Sequence, residues 1–338
     1  MEVLKAEVPF SPVIGAEEVR AATETLKKYR QGKANLEKRV IENEQWFKMR
    51  HWQQFRNKSR EGDPEPASGW LFNSIINKHA DAMDNFPELC VLPREESDQK
   101  TAQVLGAVLP AILEQNQFEQ IYSDIWWKKL KSGTGVYGVF WDSGLAGGLG
   151  DIRIQPVDML TLFWEPGIRD LQDSRNLFTV ELVDNEVLEE QYPALRGTLH
   201  TPSLEVGRYL YDDNVDTSEK SAVIDWYYKR GGLLHYCKYV NDTVLYASEN
   251  DPLLAQIGWY SHGEYPFVAD TLYPDEGTPA GFSCVDVMKD CQMYIDKLNQ
   301  ALMRHAMMAS RKRYFIRDNG AVNEKEFADW NRDFIHVA

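Results

Sequence analysis

Cysteine is scarce, with four in 338 residues. That is too few for a disulfide framework in a chain of this length, and their spacing offers no C-x-x-C pair from which to build a zinc site. Cys284 and Cys291 could pass for a pair, but seven residues of helix set their α-carbons about 10 Å apart, beyond the roughly 7 Å limit for a bridge. All four are read as reduced, structural thiols in the buried role usual for free cysteine. Long apolar runs are also missing. The longest, Val104 to Leu113, has Pro110 inside it and falls well short of the roughly 20 residues of a membrane span. The first residues, MEVLKAEVPF, carry neither the basic nor the long apolar region of a secretory signal, so cytosolic synthesis without a membrane partner is expected. Positive charge is in deficit, 37 Lys and Arg against 52 Asp and Glu, for a net charge of −15. Tight sequence-independent DNA binding needs clustered cations that release counterions, which this balance disfavours. A local basic patch on an acidic body stays open, and general repulsion suits a protein that must let DNA move past it.

Catalytic signatures are absent too. The seven histidines (His51, His79, His200, His235, His262, His305 and His336) form no HxH or HExxH arrangement, and there is no GxSxG elbow. GLAGGLGD, residues 144–151, has the glycines of a phosphate loop. It lies between two strand patterns, with no helix start and no Lys-Ser/Thr after it, so it reads as a hairpin loop. Asp81 and Asp84, one helical turn apart, and the adjacent Asp212 and Asp213 could hold a metal or act as an acid and base pair. Nothing converges on them, and solvated surface is the simpler reading. No catalytic, metal or cofactor residue is therefore assigned.

What is present is enough apolar residue, 43%, with 12% aromatics, to build a globular protein of about two domains or one large elongated one. Ala16 to about Trp52 reads as a long amphipathic helix weakened at Gly32, and residues 57–69, rich in Gly, Pro, Ser and charge, read as a surface loop or boundary. Further helices are predicted for Trp70 to about Asn85, Glu96 to Gln115 and Phe118 to Lys131, with Pro87, Pro93 and Pro110 as breaks. In the last of these, Ile121, Ile125 and Trp126 form a core face, and the lysines of IWWKKLK fall at the C-terminal end where cations suit the helix dipole. Strands are expected from about Gly135 to Leu182. After a short helix at Glu186 to Gln191 come AVIDWYYKR, LLHYCKYV and TVLYASE, a meander turning at 230–232 and 241–243, and then YPFVADTLYP.

Near the end, Ser283 and Asp286 have the spacing of a capping box, opening a helix to about Ala309. Met288, Cys291, Ile295, Leu298 and Leu302 recur at intervals of three and four. That is a seam for packing on another helix, whether a second helix of the chain or a neighbouring subunit. Arg311, Lys312 and Arg313 follow, more cations than capping a helix end requires.

The order of these segments, from ENEQWFKMRHW and FNSIINKHADAMDNFPELCVLPRE through KSGTGVYGVFWD and DIRIQPVDMLTLFWEPGIRDLQDSRNLFTVELV to YPFVADTLYPDEGTPAGFSCVDVMKDCQMYIDKLNQALMRHAM, resembles the portal proteins of tailed bacteriophages, from about Asn43 to about Ile316. The resemblance implies a portal-like α+β fold. Residues 1–60 would be an N-terminal helical arm, 61–132 the helical and 133–278 the β-rich part of a wing, 279–310 a stem helix, and 311–338 the first part of a small α/β clip. It further implies a non-enzymatic ring, usually of about twelve subunits, at a capsid vertex of the virion. Such a ring, assembled in the bacterial host cytoplasm, would be the conduit for packaging and ejecting double-stranded DNA and would dock terminase, major capsid protein and head completion or adaptor proteins. The seam residues would then pack between helices or subunits, and Arg311, Lys312 and Arg313 would contact DNA or an acidic surface of the next subunit. Portals continue past the clip into a second stem helix, a tunnel loop and a C-terminal wing or crown segment, and on this reading that part is lacking here. Two rivals are a metal-dependent carboxylate hydrolase or nuclease using Asp81 and Asp84, and another phage head or tail adaptor.

Overall fold

The structure is a computed structural model that describes residues 13–55, 63–197, 199, 219–310, 323, 325 and 326. It is a mixed α+β chain, as expected. α1 (Ala16–Phe47), the short α2 (Trp52–Phe55), α3 (Trp70–Asp84), α4 (Gln99–Gln115) and α5 (Phe118–Ser132) lead into β1 (Thr134–Asp142), β2 (Asp151–Val157), β3 (Leu162–Trp164) and β4 (Asn176–Asp184). Then come α6 (Asn185–Gln191), β5 (Lys220–Arg230), β6 (Leu233–Val240), β7 (Thr243–Ala247), α7 (Leu254–Ile257), β8 (Phe267–Thr271) and α8 (Cys284–Ser310).

The strands form two antiparallel sheets. Consecutive pairing gives β3-β4-β5-β6-β7, of which β5-β6-β7 is the expected meander, with its tight turns at Gly231–Gly232 and at Asn241, all at positive φ. β1 instead pairs with β2 across the glycine-rich hairpin and, on its other edge, with the distant β8, where Val136 faces Ala269. Alternation along β4 and β5 sends Phe178, Trp226 and Tyr228 to one face, which packs on Val19, Leu26 and Tyr29 of α1. Leu177 and Tyr227 go to the other face, against Val136 and Phe267 of the smaller sheet. A third cluster joins Trp46 of α1, Leu71 and Ile75 of α3, Leu130 of α5 and the start of α8.

α1 touches all three clusters. Its buried residues Val19, Ala22, Leu26, Tyr29, Lys33, Glu37 and Val40 recur at three- and four-residue spacing, and 32 residues carry that stripe about 48 Å. Gly32 proves to be a contact point and not merely a weak one: a Cβ there would lie 2.6 Å from Pro166 Cγ. α1 stops at Phe47, short of the expected Trp52. Met49 is left-handed, and the turn folds the His51 ring flat against Trp46 at 4.2 Å.

Two other expectations are corrected. Pro110 does not break α4, which runs through it; the carbonyl it leaves unbonded belongs to Gly106, whose Cα side faces open space. Cys237 and Cys284 are buried as structural thiols should be, but Cys90 and Cys291 are exposed.

Lys33 is fully buried beneath the five-stranded sheet's edge. Its ammonium donates to the carbonyl oxygens of Met159 and Leu162 and lies over the rings of Phe163 and Trp164, at 4.6 and 4.8 Å from the centroids. Burial pushes its pKa down to about 7, against the opposing pull of Glu37 and Asp158. From about pH 7 to 10.5 the unfolded chain therefore holds a proton at this lysine that the folded chain has released, so raising the pH through that window stabilises the fold. In urea titrations, the stability of the parent relative to Lys33→Met is expected to rise by about 2 kcal/mol between pH 7 and pH 9. Parallel profiles for the two proteins would show that Lys33 stays charged in the core.

Candidate subunit-assembly face

α8 begins on α1. The Ser283 hydroxyl accepts the Asp286 N–H at 3.1 Å, while the Asp286 carboxylate accepts the Ser283 N–H at 2.9 Å and its O–H at 2.8 Å, completing the capping box read from the sequence. From α1, Asn43 Nδ2 donates to Ser283 Oγ and to Asp286 Oδ1, each at 3.0 Å. Burial alone would push the Asp286 carboxyl up. The hydrogen bonds from Asn43 and Ser283, with Arg39 nearby, outweigh it and hold the group below the usual carboxylate range.

Further along, the inward face of α8 is polar. Gln292, Asp296, Gln300 and Arg304 recur at i+4 and lie against the segment 63–71. Asp296, fully buried, accepts the Ser68 N–H at 2.8 Å, the Ser68 hydroxyl, and Gln292 Nε2 at 2.9 Å, and its other contact is His51 Nε2 at 3.0 Å. Gln292 Oε1 accepts the Leu71 N–H at 3.2 Å. Gln300 Nε2 donates to the Pro64 carbonyl at 3.0 Å, and Arg304 pairs with Asp63. Burial pushes the His51 imidazole down, with Asp296 opposing. From its start to Arg304, α8 is thus tied by hydrogen bonds or ion pairs to residues more than 200 positions away in the chain.

The outward face is apolar. Val287, Tyr294, Leu298 and Leu302 are exposed by 57%, 69%, 66% and 66%, followed by exposed Met303, Met307 and Met308. Of the seam read from the sequence, Met288 is half-buried in the cluster around Trp46, whereas Cys291, Ile295, Leu298 and Leu302 are exposed and lie along the outer side. Val287 and Tyr294 extend this stripe and were not singled out, although they are seven residues apart and flank the seam. Gln292 and Asp296 were also missed. The local signal for them is a polar pair at i,i+4 on the side opposite the apolar stripe. Arg311, Lys312 and Arg313, and most of residues 311–338, lie outside the described residues.

Asp81 and Asp84 are exposed on α3, and among the described residues no group of three or more His, Cys, Asp or Glu side chains is placed to hold a metal. Asp212 and Asp213 lie outside the described residues. No helix among the described residues is long and apolar enough to cross a membrane.

The family model for the Phage P22-like portal protein matches residues 73–232, just under half of the chain, from α3 to the end of β5. The chain therefore resembles phage portal proteins by this comparison as well as by the order of its segments. No curated protein matches it.

The two faces of α8 predict opposite mutational behaviour. Asp296→Ala strands Ser68, Gln292 and His51 in a buried site and is expected to cost about 3 kcal/mol or more in urea unfolding. Leu298→Glu, measured in dilute protein, is expected to change stability by no more than about 0.5 kcal/mol. Equal losses for the two would mean that the outer face is packed within the subunit.

Proposed function

Proceeding from the resemblance to phage portal proteins, we propose that this chain is a portal subunit that assembles into a ring, of about twelve copies, at a capsid vertex. The ring serves as the conduit for double-stranded DNA during packaging and ejection and as the docking platform for terminase, capsid and head completion proteins. In this reading α8 is the stem helix, the two sheets and the helices before them are the wing, and residues 311–338 begin the clip. The chain supplies position and contact and no catalytic group of its own.

The observation that carries the reading is the division of α8 into a polar inward face and an apolar outward face. A helix on a free subunit normally turns its apolar side to the core. Here the core side is filled by Asp296, Gln292 and their partners, so Leu298, Leu302 and Tyr294 are left for another polypeptide. A contiguous exposed apolar stripe of this kind marks an interaction surface. The charge fits as well. At −15 per chain, about twelve copies carry roughly −180 overall, which repels DNA broadly and favours passage over capture.

Native mass spectrometry and negative-stain electron microscopy of the full chain test this. The expected result is a closed ring with a central channel that Leu298→Glu with Leu302→Glu converts to folded monomer. A parent protein that stays monomeric at high concentration overturns the proposal.

A further inference from the structure

α4 poses the complementary problem. Its residues Val104 to Leu113 carry no charge, yet Ala102 is the one residue of the helix that is buried, and Val104, Leu105 and Val108 are exposed by 60%, 42% and 43%. A helix that is apolar all round is stable only under cover. With the end of α3 and the start of α5, α4 borders an open cleft of about 990 Å³ whose apolar lining includes Met83, Phe86, Leu113 and Phe118. Glu88, Glu114 and Glu119, all exposed, rim it, and no lysine or arginine lines it.

We propose that α4 and this cleft receive the outer face of α8 from the neighbouring subunit. The inference rests on the ring reading and names the two surfaces that meet. A ring of more than two subunits is built from heterologous contacts, in which two different patches of the same chain pair head to tail. Among the described residues, α4 and α8 each present a large apolar surface without internal cover, and they are different patches. Their charges are complementary. The outer face of α8 exposes one carboxylate near its start, Asp290; from Cys291 to Arg313 the sequence has a single carboxylate, Asp296, and it is buried. Lys297 is exposed on α8, and would face a cleft rimmed by three glutamates. Met303, Met307 and Met308 supply unbranched side chains able to fill an irregular apolar cleft.

The test is a mixing experiment with full chains. Leu298→Glu spoils the α8 surface and Val104→Glu with Val108→Glu spoils α4. Each variant alone is expected to be a folded monomer by circular dichroism and native mass. Mixed one to one, they retain a single intact pair of surfaces, α8 of the second on α4 of the first, and are expected to stop at dimers. A contact of α8 with α8 instead lets the α4 variant pair with itself and gives no mixed dimer, so a mixture without the mixed dimer, by native mass, overturns the proposal. Rings formed by the α4 variant also overturn it, while leaving the ring reading intact and pointing to a different protein as the occupant of α4. A parent that does not assemble removes both. Glu114→Lys with Glu119→Lys, on the exposed rim, gives an independent measure should the α4 variant misfold. It is expected to raise the concentration for half-assembly about tenfold at low salt, and an unchanged value counts against the proposal.

Discussion

The buried carboxylate of Asp296 fixes how α8 is turned, and much else follows from that orientation. It accepts the amide and hydroxyl of Ser68 and the amide of Gln292, and lies 3.0 Å from the imidazole of His51. Turning α8 by half a rotation would bury Leu298 and Leu302, a gain of roughly 1.5–3 kcal/mol for each side chain. It would also leave the Ser68 and Leu71 amides, Gln292 and His51 facing apolar side chains, at about 1–3 kcal/mol for each unsatisfied group and more for a charged one. With several such groups lost against two leucines gained, the observed orientation wins. The apolar stripe faces outward because the polar side has specific partners and the apolar side has none among the described residues.

Those partners are held in place by α1. Its N-terminal half is the cover of the five-stranded sheet, its middle is seated by Gly32 against Pro166 and by Lys33 on two carbonyls, and its end carries Asn43 and Trp46 to the start of α8. Lys33 is an uncommon choice for the centre of a helix face. Its ammonium answers the carbonyls of Met159, in the turn before β3, and of Leu162, the first residue of that edge strand. One continuous helix therefore links the sheets to α8. The start of α8 is held by α1, α3 and α5 together, and the loop from β8 is itself anchored where the Gly281 N–H donates to Thr134 Oγ1.

Local elements were legible in the sequence because local chemistry determines them. The Ser283–Asp286 box, the turns at Gly231–Gly232 and Asn241 and the heptad spacing on α8 each lie within a few residues of chain. The heptad stripe identified the outer side of α8 but included Met288, which belongs to the intramolecular cluster, because the first turns of the helix are docked by apolar contacts and the later ones by polar contacts alone. What stayed hidden depends on distant partners. Nothing near Asp296 indicates that Ser68, 228 positions earlier, will meet it, and nothing in β8 indicates pairing with β1 across more than 100 residues. The division of the strands into two sheets follows from that second pairing. Pro110 misled because a proline breaks a helix by clash and lost hydrogen bonding, and both costs are small where the residue four positions back is an exposed glycine.

Exposed apolar helices and a charge of −15 act in opposite directions on the free subunit. The leucines and methionines of α8 and the valines of α4 favour association at almost any angle, since apolar burial has no direction. Net negative charge opposes association at almost any angle, since two copies repel over about a Debye length, roughly 8 Å at physiological salt. Contacts survive this competition only where the local charge runs against the global one. Beyond Cys291 the single carboxylate of α8, Asp296, is buried and Lys297 is exposed, so this part of the face is locally less negative than the body it projects from. Burying Asp296 thus has two consequences. It turns the apolar stripe outward, and beyond Cys291 it leaves that stripe without an exposed negative charge that would repel an acidic neighbour.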